Sequence, residues 1–432
     1  MAVTSGFVED LRARGLVNQL AGGEELVAHL ETGSRTVYCG FDPTADSLHI
    51  GSLVPLLALR RFQLAGHKPI ALVGGATGLI GDPSFKAEER KLNTPDVVAG
   101  WVERLKSQVS RFIDFDAGSC SAEVVNNFDW MSDMNVLDFL RDVGKHFSVN
   151  AMINKESVRQ RIDRAGEGIS FTEFSYMILQ SLDFAELYKR RACTVQLGGS
   201  DQWGNITGGI DLTRRLYRQQ VYGLTLPLVT KSDGTKFGKT ESGTIWLDPA
   251  KTSPYAFYQF WLNTADADVY RFLRYFTFLD VAAIDEIERA DREVSGRPAA
   301  QGVLAREMTL LIHGADGLLA AERISHALFS GDLSVLSEGD MEQLELDGLP
   351  SLVVEAQEKP LLELLVDTGL AQTPRGDVTI GQARKFIQEG AVQVNGQKIV
   401  ESDVVLGASA AFYGRFHFIK RGKKHFALVV WK

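Results

Sequence analysis

His49 stands two residues before Gly51, just after Asp42-Pro43-Thr44, where a β-rich run gives way to a helix. Backbone N–H groups at a helix N-terminus favour phosphate, and an imidazole there adds one more polar contact. Almost two hundred residues later, Lys236-Phe237-Gly238-Lys239-Thr240 sets two lysines on a glycine-jointed loop. Such a loop suits charge developing on a pyrophosphate leaving group. In this order the two segments describe a site that activates a carboxylate with ATP.

Other residues point into the same chemistry. Tyr176, Gln180 and Asp183 are spaced four and three apart and share a helix face. An ordinary amphipathic helix would bury Asp183 beside Phe184 with nothing to pair it, which is costly; a binding pocket explains it. Gln196, Asp201 and Gln202 follow in Gln196-Leu197-Gly198-Gly199-Ser200-Asp201-Gln202. Gly74-Gly75-Ala76-Thr77-Gly78-Leu79-Ile80-Gly81-Asp82 invites a dinucleotide reading but lacks the strict glycine spacing. It reads instead as a tight turn presenting Asp82. The lysine loop ends in Gly238-Lys239-Thr240 like a P-loop, but Gly234 is one residue too close, and Gly243 and Pro249 leave no room for a long helix.

These groups need a scaffold. Arg35–Gly40 and Lys68–Val73 read as short strands, and Leu53–Ala65 between them as a helix that tolerates Pro55 in its first turn. Strand, helix, strand in about 40 residues is a βαβ unit, so a Rossmann-like, doubly wound parallel sheet of the α/β class is expected over 1–227. Ligands in such sheets bind beyond the strand carboxyl ends, at the switch point. Residues 228–249 read as a loop and linker. Segment 250–330 carries apolar residues at helical spacing, and 331–358 reads as a linker. From 359 to 432 a small α+β module is expected. In it, Thr379–Gly390 is a helix with a glycine stop, and 391–399 a hairpin turning on Asn395-Gly396.

Composition bounds the rest. The 432 residues are 45% hydrophobic and 23% charged, as in soluble globular proteins. No apolar run reaches the roughly 20 residues that span a bilayer. The first residues have neither a basic stretch nor an apolar core of a secretory signal, and Cys39, Cys120 and Cys193 are too scattered for a zinc cluster. A reducing cytoplasm is the expected compartment. Net charge is −9, but from Asp377 onward nine lysines and arginines face four acids, a local +5 on a remainder of −14. Phe412, Tyr413, Phe416, Phe418 and Phe426 interleave with those charges, so the basic tail can fold.

Four ordered segments together resemble the tyrosyl-tRNA synthetases of bacterial type, class I aminoacyl-tRNA synthetases. They are the His49 and Lys236 segments, Thr172–Phe184 and Gln196–Asn205. The likeness runs nearly the whole length. It implies catalysis by Thr44, His49, Lys236, Lys239 and Thr240, with Mg2+ accompanying ATP and no structural metal. It implies a tyrosine site of Tyr38, Asp82, Tyr176, Gln180, Asp183, Gln196 and Gln202. Gly40, Asp42, Gly51, Ser52, Asp201 and Lys239 would border ATP, Ser52 standing where the family commonly has histidine or asparagine. The C-terminal module resembles an S4-type RNA-binding domain, and its Arg384, Lys385, Arg415, Lys420, Arg421, Lys423 and Lys424 would meet tRNA(Tyr). A homodimer with Phe171 in its interface is implied as well. Tryptophanyl-tRNA synthetases share the fold, and a non-catalytic RNA-binding protein could retain it. Asp183 paired with Tyr38 favours a phenol over an indole.

Overall fold

The structure, a computed structural model, describes residues 3–82, 94–155, 158–159, 162, 168–235, 237–240, 243–294, 296, 298–355, 357–372, 376–422 and 425–432. Lys236, Lys423 and Lys424 lie outside the described residues, and Lys239 and Thr240 are described by their backbone. The chain gathers into two compact units, 1–246 with 267–296, and 247–266 with 297–432. The helical segment 250–330 is thereby shared between them.

The first unit is built on a six-stranded sheet. Its strands are β1 (Gln19–Ala21), β2 (Thr36–Phe41), β3 (Lys68–Val73), β4 (Glu123–Asn126), β5 (Cys193–Gly199) and β6 (Tyr222–Leu226), in the order β1-β6-β5-β2-β3-β4. All neighbours are parallel except β1 against β6. From β2 the chain adds β3 and β4 on one side, then β5 and β6 on the other, so the switch point falls between β2 and β5. Apolar, β-branched runs make β2 and β3 buried central strands; Ile70, Ala71 and Val73 are fully buried. The crossover helix is Leu53–Leu64, with Pro55 in its first turn, where a missing N–H costs nothing. A 21-residue helix, Phe171–Arg191, is capped by Ser170, whose hydroxyl accepts from the Glu173 N–H.

In the second unit, five strands pair in one sheet: β9 (Ser351–Val354), β11 (Val392–Val394), β12 (Gln397–Ile399), β14 (Phe416–Arg421) and β15 (His425–Trp431). Strands β7 (Lys239–Thr240) and β8 (Gly243–Thr244) form a hairpin of the first unit, and β10 (Glu358–Pro360) and β13 (Val405–Gly407) a small ribbon of the second. Asn395 and Gly396 turn β11 into β12 with φ of 50° and 83°, a turn whose twist matches a hairpin. Helix Ile380–Gln388 starts on a Thr379 cap and stops before Gly390 at φ 65°. The stretch 331–358 holds a helix, Glu338–Gln343, and strand β9, which pairs parallel with β15. Leu352 and Val353 lie in register with Val429 and Val430, so this acidic stretch belongs to the folded sheet rather than bridging to it. The linker reading rests on its charge, part of which the fold takes up: Asp340 is buried and accepts from Arg323 at 2.7 and 2.8 Å.

Candidate active site

Strand register assembles the site first. Tyr38 of β2 lies beside Gln196 of β5 and Ile70 of β3, on one face of the sheet. Both polar side chains are buried, and Tyr38 Oη and Gln196 Oε1 have no hydrogen-bond partner in the fold. Buried polar atoms are nearly always paired, so two orphans side by side at a switch point mark where a polar ligand fits. Phe184 packs edge-on against the Tyr38 ring at 5.3 Å and holds it there.

Asp183 closes one end of this space and is 1% exposed. It is paired from within the protein: Trp130 Nε1 donates to Oδ1 at 3.0 Å, and Asn127 Nδ2 to Oδ2 at 3.1 Å. Burial pushes its pKa up to about 8, outweighing the two donors, with Asp42 and Glu186 adding to the rise. Asn127 and Trp130 did not stand out in the sequence. The one local signal was two asparagines closing a strand, in Val124-Val125-Asn126-Asn127-Phe128-Asp129-Trp130.

The glycine-rich turn explains itself at these asparagines. The Gly75 N–H donates to Asn126 Oδ1 at 3.1 Å and the Ala76 N–H to Asn127 Oδ1 at 2.8 Å. A Cβ at Gly74 would fall 2.0 Å from Asp42 Oδ1, and one at Gly75 would fall 2.3 Å from Asn126 Oδ1. The turn's N–H groups are spent on side chains, which leaves none of these two for a pyrophosphate. Gly81, at φ 85°, then turns the chain into Asp82.

Carboxylates and amides line the other end. Asp42 accepts from Tyr176 Oη at 2.6 Å and Thr77 Oγ1 at 2.7 Å, and Asn127 Nδ2 donates onward to Thr77 Oγ1 at 3.0 Å. Burial together with Asp42, Asp82 and Asp183 holds the Tyr176 phenol far from ionising. Gln202 Nε2 donates to Asp82 at 2.9 Å and to Asp201 at 3.3 Å, and Asn205 Nδ2 donates to Gln180 and Gln202. Burial raises the Asp201 pKa, and Gly199 leaves room for its Oδ1, 2.4 Å from where a Cβ would sit. The set is net acidic and suits a cationic group.

The two lysine-loop and histidine segments meet in space. His49 caps the short helix Ile50–Ser52, its Nδ1 accepting from the Gly51 N–H at 3.0 Å. The neutral ring therefore carries its proton on Nε2. A Cβ at residue 51 would come within 2.7 Å of the His49 ring, so this capped histidine requires glycine two residues on. Gly238, at φ 81°, packs so closely that its Cβ would lie 2.5 Å from Ile50 Cγ2. Phe237 is buried and stacks on Phe276 at 5.3 Å, while Asp268 holds the loop's start at Ser232 through 2.9 Å bonds to its N–H and hydroxyl. These last anchors, Asp268 and Phe276, were not foreseen. Thr44 and His49 are exposed, Ser52 and Asp42 half-buried, and Gly40 exposed at the end of β2.

The basic residues of the second unit divide. Arg384 and Lys385 are exposed on their helix. Lys420 aligns with Gln393, which aligns with Lys398, so the three cross the sheet in one row. Arg421 donates to the Gln372 carbonyl at 2.9 Å and lies over the Phe386 ring. Arg415 sits among Glu338, Glu342 and Glu345 at 3.1 to 3.5 Å.

Known proteins resemble this chain over its whole length. The family model described as "tRNA synthetases class I (W and Y)" matches residues 30–330, and one described as "Tyrosine--tRNA ligase SYY-like C-terminal domain" matches 340–429. A tyrosine–tRNA ligase of Aliivibrio fischeri (strain MJ11) is 65% identical over 432 residues, all of both chains. One from Klebsiella pneumoniae is 58% identical over 432 residues, covering 100% of this chain and 99% of its own. The crystal structure of a C-terminally truncated mitochondrial tyrosyl-tRNA synthetase from Aspergillus nidulans superposes with a TM-score of 0.68 at 30% identity, covering 76% of this chain and 95% of that one.

Proposed function

The chain belongs to the class I tyrosine–tRNA ligases, and on that premise we propose which of its residues carry each part of the reaction. The enzyme activates L-tyrosine with ATP to tyrosyl-adenylate and transfers the tyrosine to the 3′ end of tRNA(Tyr). In the first step the tyrosine carboxylate attacks the α-phosphorus and pyrophosphate leaves. In the second, a terminal ribose hydroxyl of the tRNA attacks the adenylate carbonyl. No side chain becomes covalently attached; the protein positions the reactants and stabilises charge.

One observation carries the assignment of the tyrosine site: Tyr38 Oη and Gln196 Oε1, buried and unpaired, next to the held carboxyl of Asp183. We assign the substrate phenol to Tyr38 and Asp183, which can donate and accept at one hydroxyl. The ammonium goes to Asp82, Tyr176 and Gln180, with Gln196 and Gln202 along the wall. Asp42 fixes Tyr176 while bordering ATP with Gly40, Gly51, Ser52 and Asp201.

Thr44 and the Nε2–H of His49 face the phosphates. Lys236, Lys239 and Thr240 take the charge of the departing pyrophosphate, and Gly238 against Ile50 supports their arrival at the same place. Among the described residues no group of three or more His, Cys, Asp or Glu is arranged to hold a metal. Mg2+ would accompany ATP, where it would help neutralise the phosphate charge.

Arg384, Lys385, Lys420 and Arg421 form the proposed tRNA contact of the second unit, with Lys423 and Lys424. Arg415 joins them in the sequence but spends its charge on three glutamates. A homodimer is supported by a run of exposed apolar side chains, Val136, Leu137, Leu140, Val149 and Phe171, the last 76% exposed. The cytoplasm is the compartment where this enzyme and its tRNA would meet.

ATP–pyrophosphate exchange tests the reading. Exchange should depend on tyrosine and stay near background with phenylalanine or tryptophan. Equal exchange with tryptophan would overturn the phenol assignment, and none with any amino acid would overturn the activity of this site.

A further inference from the structure

Helix Asp266–Phe276 holds the lysine loop at two places. Asp268, Phe272 and Phe276 are spaced by four, share one face and are all buried. A carboxylate on such a face is costly unless it is paired. Asp268, 2% exposed, is paired with the loop: its Oδ2 accepts from the N–H and from the hydroxyl of Ser232, both at 2.9 Å. Its Oδ1 accepts from Arg271, whose Nη2 also donates to the Thr230 carbonyl at 2.7 Å. Farther along the same face, Phe237 stacks on Phe276 and meets Phe272 edge-on at 5.1 Å. In the chain, Lys236 falls between these two grips.

The turn that Asp268 grips is closed on itself. The Lys231 N–H donates to the Thr235 carbonyl at 3.2 Å and the Gly234 N–H to the Lys231 carbonyl at 3.0 Å. Asp233 Oδ1 accepts from the N–H and the hydroxyl of Thr235 at 2.8 and 2.6 Å. A turn bonded within itself is aimed by whatever holds its rim. The helix in turn has a fixed seat. Arg61, buried in the crossover helix, donates to the Thr277 carbonyl just past its end and lies 4.7 Å over the Phe278 ring. That crossover helix begins four residues after His49, so the lysine loop and the histidine segment share one frame.

We propose that Asp268, with Arg271, is a positioning residue for adenylate formation: it sets the place from which Lys236 and Lys239 meet the departing pyrophosphate. The inference rests on the assignment of those lysines to the pyrophosphate. Transfer of tyrosine from a finished adenylate to tRNA releases no pyrophosphate, so that step does not depend on Asp268.

Two substitutions test this on the full-length enzyme. Asp268→Asn keeps the size but leaves one accepting oxygen where the carboxylate has two. Ser232→Ala removes a single donor from an exposed residue, and tests the contact even where Asp268→Asn unfolds the protein. Tyrosine-dependent pyrophosphate exchange, tyrosine affinity by equilibrium titration, and single-turnover transfer from preformed tyrosyl-adenylate to tRNA(Tyr) are measured side by side. Small misplacements of a reacting group cost up to about a hundredfold. Asp268→Asn should lose about tenfold in exchange and Ser232→Ala about threefold, with tyrosine affinity and transfer unchanged. In a Lys236→Ala/Lys239→Ala background, adding Asp268→Asn should cost less than about twofold, because groups acting as a unit are not additive.

A tenfold further loss in that background, or tyrosine affinity or transfer falling in step with exchange, makes Asp268 a packing residue and overturns the proposal. So does exchange at the wild-type rate in both single variants. If the double lysine variant keeps the wild-type rate, the assignment of the lysines fails, and the proposal with it. If the wild type shows no tyrosine-dependent exchange, the reading of the function itself fails.

Discussion

The switch-point site and the basic sheet of the second unit are both polar, yet they handle polarity in opposite ways. At the switch point, Asp183, Asn127, Thr77 and Gln196 are almost wholly buried, and each bond in the chain Trp130–Asp183–Asn127–Thr77–Asp42–Tyr176 depends on the next. In the second unit, Arg384, Lys385 and Lys398 stand in solvent, and the Lys385–Glu389 pair is 3.8 Å long. Burial makes each group matter individually, because removing one strands its partners without water. Exposure makes charges nearly interchangeable, screened by salt and summed over many contacts. One region can select a hydroxyl; the other can hold a polyanion.

The strongest way to break that contrast is Asp183→Ala. It removes the proposed partner of the phenol and leaves the Asn127 and Trp130 donors buried and unpaired. Tyrosine-dependent exchange should fall by about a thousandfold or more, in keeping with the rule that sites built around a hydroxyl are intolerant of its loss, for which tyrosyl enzymes are the usual example. Unchanged exchange would show that the buried network is scaffolding alone. Next come Lys236→Ala and Lys239→Ala. Each should cost roughly 2–4 kcal/mol in the rate of adenylate formation. Tyrosine affinity, measured separately, should barely move if these lysines act only as pyrophosphate leaves.

Proton linkage sharpens the same comparison. The folded pKa of Asp183, pushed up to about 8, lies above its unfolded value of about 4. The native state then binds the proton more tightly, so this residue's contribution is present below pH 4 and is lost as pH rises towards 8. The loss is at most about 1.4 kcal/mol per pH unit for one proton. Urea unfolding of wild type and Asp183→Asn at pH 5 and pH 8 reads it. The variant, lacking the carboxyl, should lose less stability over that interval. An identical fall in both proteins would mean that Asp183 ionises in the folded state as it does in water.

The smallest effects belong to the basic sheet. Arg384→Ala or Lys385→Ala should weaken tRNA binding several-fold and lower the salt slope by about 0.7 to 0.9 per lost phosphate contact, with exchange unaffected. Arg415→Gln should leave tRNA affinity alone and cost at most about 1 kcal/mol of stability, since two of its three carboxylate partners are exposed and the third is half-buried. A tRNA defect in Arg415→Gln equal to that of Arg384→Ala would put Arg415 back on the RNA face.

Much of the site could be read before any fold was known, because some of its chemistry is local. His49 and Gly51 signal each other across two residues: the ring caps the helix only if residue 51 has no Cβ. Asn395-Gly396 and the Thr379 cap likewise act within a few residues. Tyr176, Gln180 and Asp183 share a helix face by periodicity alone. The helix pattern offers Asp183 no protein donor, and there the reading stops short. Its donors come from 53 and 56 residues upstream, on a strand end that carries no distinctive pattern. The region 331–358 reads as a linker for a similar reason. Strand β9 is short and gains its place only by pairing with β15, which ends the chain.

Local elements and the order of the chemical segments were legible in the chain alone, because residue types at fixed short spacings become turns, caps and helix faces directly. The class of enzyme came from the likeness of four ordered segments to a known family. Which polar groups meet is a matter of tertiary packing. Tyr38 and Gln196 become neighbours through the β2–β5 register. Gly238 reaches Ile50 by a contact across almost two hundred residues. Arg415 meets Glu338, Glu342 and Glu345 only through the packing of its turn, 70 to 77 residues on in the chain. Such meetings depend on how whole elements bury their apolar faces together. That is a property of the packed core, and no short window of sequence contains it.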